Sequence, residues 1–196
     1  KTLHLMKKKI LIFIISYQAQ FRIKRVFEQI PFLKLKNFTI ETLISDDASR
    51  DETINYIKNI NHKKKIVKQF NKKNLGYGGN IKKCLKYGKK NKFDFAIMLH
   101  GDGQYHPKYL PIMLKKFENP NTYAVTGSRM INKNNALKGK MPLYKFVGNI
   151  VLSKLTNLIT KKNFTDCHSG FWAYRIEMFN KIELDKLTSG FNFDQQ

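Results

Sequence analysis

Strand-length apolar runs alternate along the chain with stretches whose apolar positions recur every three or four residues. That alternation predicts a mainly parallel sheet joined by crossover helices. The run "KILIFIIS" predicts a first strand over residues 9–16, and the amphipathic stretch 21–30, stopped by Pro31, predicts the helix that follows. "FTIETLIS" (38–45) reads as a second strand. The next segment, "DASRDETINYIKNI", reads as a helix start in which Ser49 caps the first turn and Glu52 completes a capping box. "KKIVKQF" (64–70) is a short third strand, and the glycine-rich "NLGYGGN" turns into a helix ending near Gly88. "FDFAIML" (93–99) is the most apolar strand and therefore the expected centre of the sheet. A helix over 107–118, a strand over 123–128, a polar loop through Gly139 and a long helix over 142–159 complete the order. No repeat or linker interrupts it, so the expectation is a single α/β domain over 1–196, its sheet flanked by helices and its first eight residues disordered.

Length and composition fit that reading. A chain of 196 residues with 42% hydrophobic content is large enough to bury a sizeable core. Charge adds information: 37 Lys and Arg against 14 Asp and Glu give +23, which favours polyanionic partners such as nucleic acid, an anionic membrane or phosphorylated substrates. The lysines are scattered and accompany no nucleic-acid-binding motif, so a basic nucleic-acid-binding module is the alternative class and no nucleic-acid partner is expected. Cys84 and Cys167 show no metal spacing and read as reduced thiols of a cytoplasmic chain. No apolar run approaches the roughly 18 residues of a membrane span, and no signal peptide is recognisable. The chain opens on Lys1 and stops at Gln196 within an unfinished pattern, as a fragment would, with Met6 as the natural start.

Candidate chemistry sits where open α/β sheets collect ligands, at the carboxyl ends of strands. "SDDAS" follows the second strand, "HGDGQ" the fourth and "GSR" the fifth. Asp46 and Asp47 serve either as helix-start carboxylates, favourable by about 0.3–1 kcal/mol, or as acceptors for a nucleotide's base or ribose. Asp102 and Gln104 offer oxygen donors separated by a glycine, the donor type that magnesium and manganese prefer, although an Asp-Gly turn alone explains the pattern too. His100 reads equally as a metal ligand, a phosphate contact or a polar strand end. "NLGYGGN" resembles an anion-binding turn with free N–H groups before a helix; close helix–strand packing explains its glycines as well.

Taken in order, "ISDDASRDET", "NLGYGGNIKKCLKYG", "MLHGDGQYHP", "TGSRM" and "DCHSGFWAYR" resemble family 2 glycosyltransferases of the GT-A fold, in the branch of dolichol-phosphate mannose synthase and bacterial prenyl-phosphate glycosyltransferases. The resemblance runs from about residue 9 to the end. It implies nucleotide contacts from Asp46 and Asp47, with Tyr17, Gly76, Asn80 and Gly101 in the substrate-binding set. It also implies a Mg2+ or Mn2+ ion on Asp102 and Gln104, an acceptor phosphate on Arg129 and Lys145, and a sugar and acceptor pocket bordered by Ser169 and Gly170. Asp102, Arg129 and Asp194 are the implied catalytic residues. The implied activity is an inverting transfer of a hexose from a GDP-mannose or UDP-glucose type of donor to a polyprenyl phosphate. A sugar-hydroxyl acceptor is the alternative, and it would need a base, for which Asp194 is the candidate. A peripheral site on the cytoplasmic face of an anionic membrane follows, with the helix over 142–159 and residues 171–174 able to rest on it, although core packing is the first expectation for that helix. The chain departs from the family in three places: His100 replaces the first acid of the metal motif, "YQAQ" (17–20) replaces an Asn-Glu pair, and Gln196 stands where a second acid often follows Asp194. A nucleotidyltransferase would share the layout but wants a basic glycine-rich signature after the first strand, which "SYQAQFR" lacks.

Overall fold

The computed structural model describes residues 7–131 and 142–195. The expectations placed on the stretch 1–6 with Met6, on the loop after residue 131, on the Lys145 side chain and on Gln196 therefore lie outside the described residues.

Four strands, β1 (Lys9–Ser16), β2 (Thr39–Asp46), β3 (Lys65–Phe70) and β4 (Phe95–His100), pair in parallel. Two short strands, β5 (Ala124–Thr126) and β6 (Trp172–Arg175), extend the sheet, with β6 antiparallel to both of its neighbours. The order is β3-β2-β1-β4-β6-β5, which puts β1 and β4 in the middle. Continuous apolar runs belong in such positions because helices cover both faces. On one face Ile10, Ile12 and Ile14 pack with Ile23 and Val26 of α1 (Ile23–Glu28), Ile57 of α2 (Thr53–Lys58), and Leu110 and Met113 of α4 (Leu110–Lys115). On the other, Leu11, Phe13 and Ile15 pack with Ile81, Cys84 and Leu85 of α3 (Tyr77–Lys90).

Three local expectations are corrected. Ser49 and Glu52 form no capping box: the Ser49 hydroxyl donates to Asp46, and α2 starts only at Thr53, whose N–H donates to Asp51. A buried carboxylate three residues back outcompeted the helix end for the hydroxyl. The segment "WAYR" forms β6, a strand the apolar pattern did not announce. Core packing does not account for the long helix α5 (Leu143–Thr160). Asn149 and Ser153 face inward, whereas Leu143, Val147, Val151, Leu155, Leu158 and Ile159 are exposed.

The parallel registers align the strand ends that build the site. Ser16 pairs with Asp46, Asp46 with Phe70, and Ile15 with His100. The side chains that follow these positions therefore project from one edge of the sheet.

Candidate active site

Two adjoining clefts open at that edge, of about 360 and 510 Å3. Tyr77, His100, Asp102 and Phe191 line both. Tyr17, Asp47, Gly76, Asn80 and Gly101 line the smaller cleft; Gln104, Arg129, Gly170 and Asp194 line the larger. The strand-end motifs thus converge, with Asp102 at the junction.

Asp46 and Asp47 have separate tasks. Asp46 is fully buried and lines neither cleft; its carboxylate accepts from the Ser16 hydroxyl at 3.1 Å, the Ser49 hydroxyl at 2.6 Å and the Ser49 N–H at 2.9 Å. It ties the ends of β1 and β2 together, so its reading as a ligand contact is replaced by one as a brace. Asp47 turns into the smaller cleft. One of its oxygens accepts from the Asn71 amide and the Leu75 N–H, both at 2.8 Å, and the other has no partner among the described residues. Asn80 reaches the cleft wall, but its amide is engaged by the Ser45 hydroxyl at 2.6 Å and the Ser45 carbonyl at 3.1 Å. Ser169 is fully buried outside the cleft walls, its hydroxyl accepting from the Phe171 N–H.

The anion-binding reading of "NLGYGGN" is also corrected. The N–H groups of Gly78 and Gly79 at the start of α3 donate to the Ser189 carbonyl at 2.9 and 3.3 Å, so they are already satisfied. Packing demands the glycine: a Cβ on Gly78 would lie 2.6 Å from the Thr188 carbonyl oxygen. This seat holds the segment 188–195, in which Phe191 stacks on Tyr77 with ring centroids 5.5 Å apart, and the Tyr77 hydroxyl donates to Asp194 at 2.5 Å. The other Asp194 oxygen is buried without a partner among the described residues. Burial pushes the Asp194 carboxyl up to about 6, against the pull of the Tyr77 hydrogen bond. Tyr77 is itself driven upward, by burial first and then by the Asp194 charge.

His100 is a pin. Its Nε2 lies 2.9 Å from the Gly170 carbonyl, which only accepts, so Nε2 carries the proton. The Gly170 N–H in turn donates to the Tyr105 hydroxyl at 2.8 Å. Burial lowers the imidazole pKa and favours the neutral ring. A carboxylate in this position, which the resemblance implied, could not donate to the Gly170 carbonyl.

Among the described residues no group of three or more His, Cys, Asp or Glu is gathered for a metal. The donor chemistry nevertheless suits a hard cation that takes its remaining ligands from phosphates and water. Asp102 is exposed at the junction of the clefts, with one oxygen accepting from the Gln104 N–H at 2.9 Å and the other without a partner among the described residues. Gly103, between them, has φ of 73°, a conformation that keeps the turn tight enough to present both side chains.

Arg129 lines the larger cleft as anticipated, but it is not free. Asp166, in the motif "DCHSGFWAYR" and not singled out by the sequence, grips it through Nε at 2.8 Å and Nη2 at 3.0 Å. Burial opposes the Asp166 charge, but the Arg129 fork and the Asn149 amide outweigh it and hold the carboxyl below its ordinary range. Tyr77 was similarly overlooked inside "NLGYGGN". The Lys145 side chain lies outside the described residues.

Comparison with known proteins gives this geometry a lineage. An uncharacterized protein of Methanocaldococcus jannaschii is 30% identical over 158 residues, covering 76% of this chain and 66% of its own. A UDP-N-acetylglucosamine–dolichyl-phosphate N-acetylglucosaminyltransferase of Methanococcus voltae is 29% identical over 181 residues, covering 85% of this chain and 69% of its own. The chain thus spans about two thirds of the length of these curated relatives. The crystal structure of glucosyl-3-phosphoglycerate synthase from Mycobacterium tuberculosis superposes with a TM-score of 0.66 at 15% identity, over 95% of this chain and 63% of that one, a likeness of fold. Its sheet-and-helix layout is that of the GT-A glycosyltransferases. The pattern of glycosyl transferase family 2 matches residues 12–183, and the chain belongs to that family.

Proposed function

We propose that the chain transfers a hexose from a nucleotide diphosphate sugar to the phosphate of a polyprenyl lipid, with inversion at the anomeric carbon. The observation that carries this reading is the pair of adjoining clefts, one edged by Asp47 and the other by Arg129, with Asp102 on their common wall. The free oxygen of Asp47 accepts from the base or ribose of the nucleotide. Asp102 and Gln104 would hold Mg2+ or Mn2+. The ion supplies Lewis-acid stabilisation of the leaving group when bound. Arg129 directs its remaining nitrogen at the acceptor phosphate, which is already an anion and requires orientation rather than deprotonation. An acceptor oxygen then bonds to the anomeric carbon as the bond from that carbon to the donor's phosphate breaks. The lipid-phosphate acceptor named for the M. voltae relative supports the acceptor class.

The acceptor lipid sets the location, which we take to be the cytoplasmic face of an anionic membrane. The exposed apolar side of α5 and the net charge of +23 support a peripheral contact. No helix among the described residues is long and apolar enough to cross a membrane.

A sugar-hydroxyl acceptor is the second reading, favoured by Asp194. A carboxyl raised to about 6 in the wall of the larger cleft, with one oxygen unpartnered among the described residues, suits a general base.

The deciding assay follows nucleotide release from GDP-mannose, UDP-glucose and UDP-N-acetylglucosamine, with farnesyl phosphate as acceptor and Mg2+ or Mn2+ present. Asp102→Ala is expected to lower turnover by about 100-fold or more. Undiminished turnover removes Asp102 from the metal and diphosphate site.

A further inference from the structure

A guanidinium has five N–H donors, and in Arg129 three of them are committed. Nε donates to one Asp166 oxygen and Nη2 to the other. Nη2 also donates to the His168 carbonyl at 3.3 Å. Nη1 alone has no partner among the described residues, and Arg129 lines the larger cleft. Asp166 is 1% exposed and is held by groups other than Arg129. The Asn149 amide donates to it at 2.7 Å, and the Ser153 hydroxyl donates to Asn149 at 3.2 Å. Both come from the buried side of α5. The Arg129 backbone N–H adds a fourth contact to the Asp166 carboxylate at 3.2 Å.

We propose that Asp166, braced by Asn149, is a positioning residue that occupies the fork edge of Arg129 and leaves only Nη1 for the acceptor phosphate. The inference rests on the lipid-phosphate reading above and deepens it. A free arginine would chelate a phosphate through two nitrogens. Here the carboxylate has taken that geometry, so the ligand meets a single nitrogen with two hydrogens at a fixed angle. The ion pair carries no net charge, and its contribution to the acceptor is therefore direction. The brace comes from α5, which ties the aim of Arg129 to the seating of that helix.

The test compares the whole chain with Asp166→Asn, whose amide would turn an N–H toward the guanidinium. The Arg129 Nε–H resonance in a 1H–15N spectrum, assigned through Arg129→Lys, reads the orientation directly. We expect it to be sharp and slowly exchanging in the wild type and averaged in Asp166→Asn. Affinity for farnesyl phosphate, measured by titration calorimetry, is expected to fall about tenfold, while the thermal shifts given by UDP and GDP stay unchanged. Adding Asp166→Asn to Arg129→Ala should cost nothing further, because both substitutions remove one device. Asn149→Ala should move the same readouts in the same direction by less, and it carries the test if Asp166→Asn does not fold. An unaltered Nε–H signal, additive losses in the double variant, or equal loss of nucleotide binding would overturn the proposal. If the wild type binds UDP or GDP but not farnesyl phosphate, the lipid-phosphate reading fails, and the Nε–H comparison still decides the positioning.

Discussion

The two sides of the site are built by different forces. The side proposed to take the donor rests on β1, β2 and β4, whose central residues are sealed between two layers of helices and whose ends are fixed by sheet register. The side proposed to take the acceptor rests on a three-residue strand, a four-residue strand and one helix whose apolar side chains are exposed. What holds it in shape is a short series of polar bonds, from Arg129 to Asp166 and from Asp166 to Asn149. Apolar burial tolerates little change in volume but makes few demands on direction. Polar bonds are individually weaker in net terms and strict in angle. The donor cleft should therefore be rigid and costly to alter, and the acceptor cleft adjustable with little cost to the fold.

Substitutions that probe each side separate these accounts. The largest effect belongs to the donor side: Ile12→Ala, at a position with no exposed surface, should cost about 2–5 kcal/mol in urea unfolding. A loss near zero would mean that the sheet centre is not the stabilising element. Asp194→Asn comes next, and it acts on rate. With a sugar-hydroxyl acceptor it should lower kcat by about 100-fold or more, and the wild-type rate should climb as pH rises through about 6 because the carboxylate is then formed. With farnesyl phosphate it should stay within about tenfold, at the foot of what removal of a general base costs. Gly78→Ala bridges the two sides. The added methyl meets the Thr188 carbonyl at 2.6 Å and should destabilise by about 1–3 kcal/mol, with segment 188–195 lifting first and exposing Asp194. Its measure is hydrogen exchange across 188–195. Smallest is Leu158→Ala on α5, a residue 78% exposed, which should leave unfolding within about 0.5 kcal/mol while weakening binding to phosphatidylglycerol vesicles.

The same contrast explains what could be read from the sequence. β1, β2 and β4 were readable because a strand covered on both faces is apolar throughout, and the strand-end rule then located Asp47, Asp102 and Arg129. Burial of individual polar groups was not readable. Asp46 and Asp47 are adjacent, yet only the folded register decides which one braces the sheet and which faces the cleft. Asp166 acquires its role from an arginine 37 residues away, and the glycines of "NLGYGGN" acquire theirs from Ser189, far down the chain. Spacing within a motif carries no trace of such partners. Periodicity correctly announced α5, but a three-and-four repeat reports an apolar face and says nothing of what covers it.

The strip from Ser189 to Gln195 forms part of the wall of both clefts, with Phe191 and Tyr77 stacked at their boundary. On the proposed function, donor choice and acceptor choice are therefore written on shared residues. A lineage drifting toward a new sugar nucleotide must renegotiate its acceptor in the same step, so altered pairings should arise together and seldom one at a time.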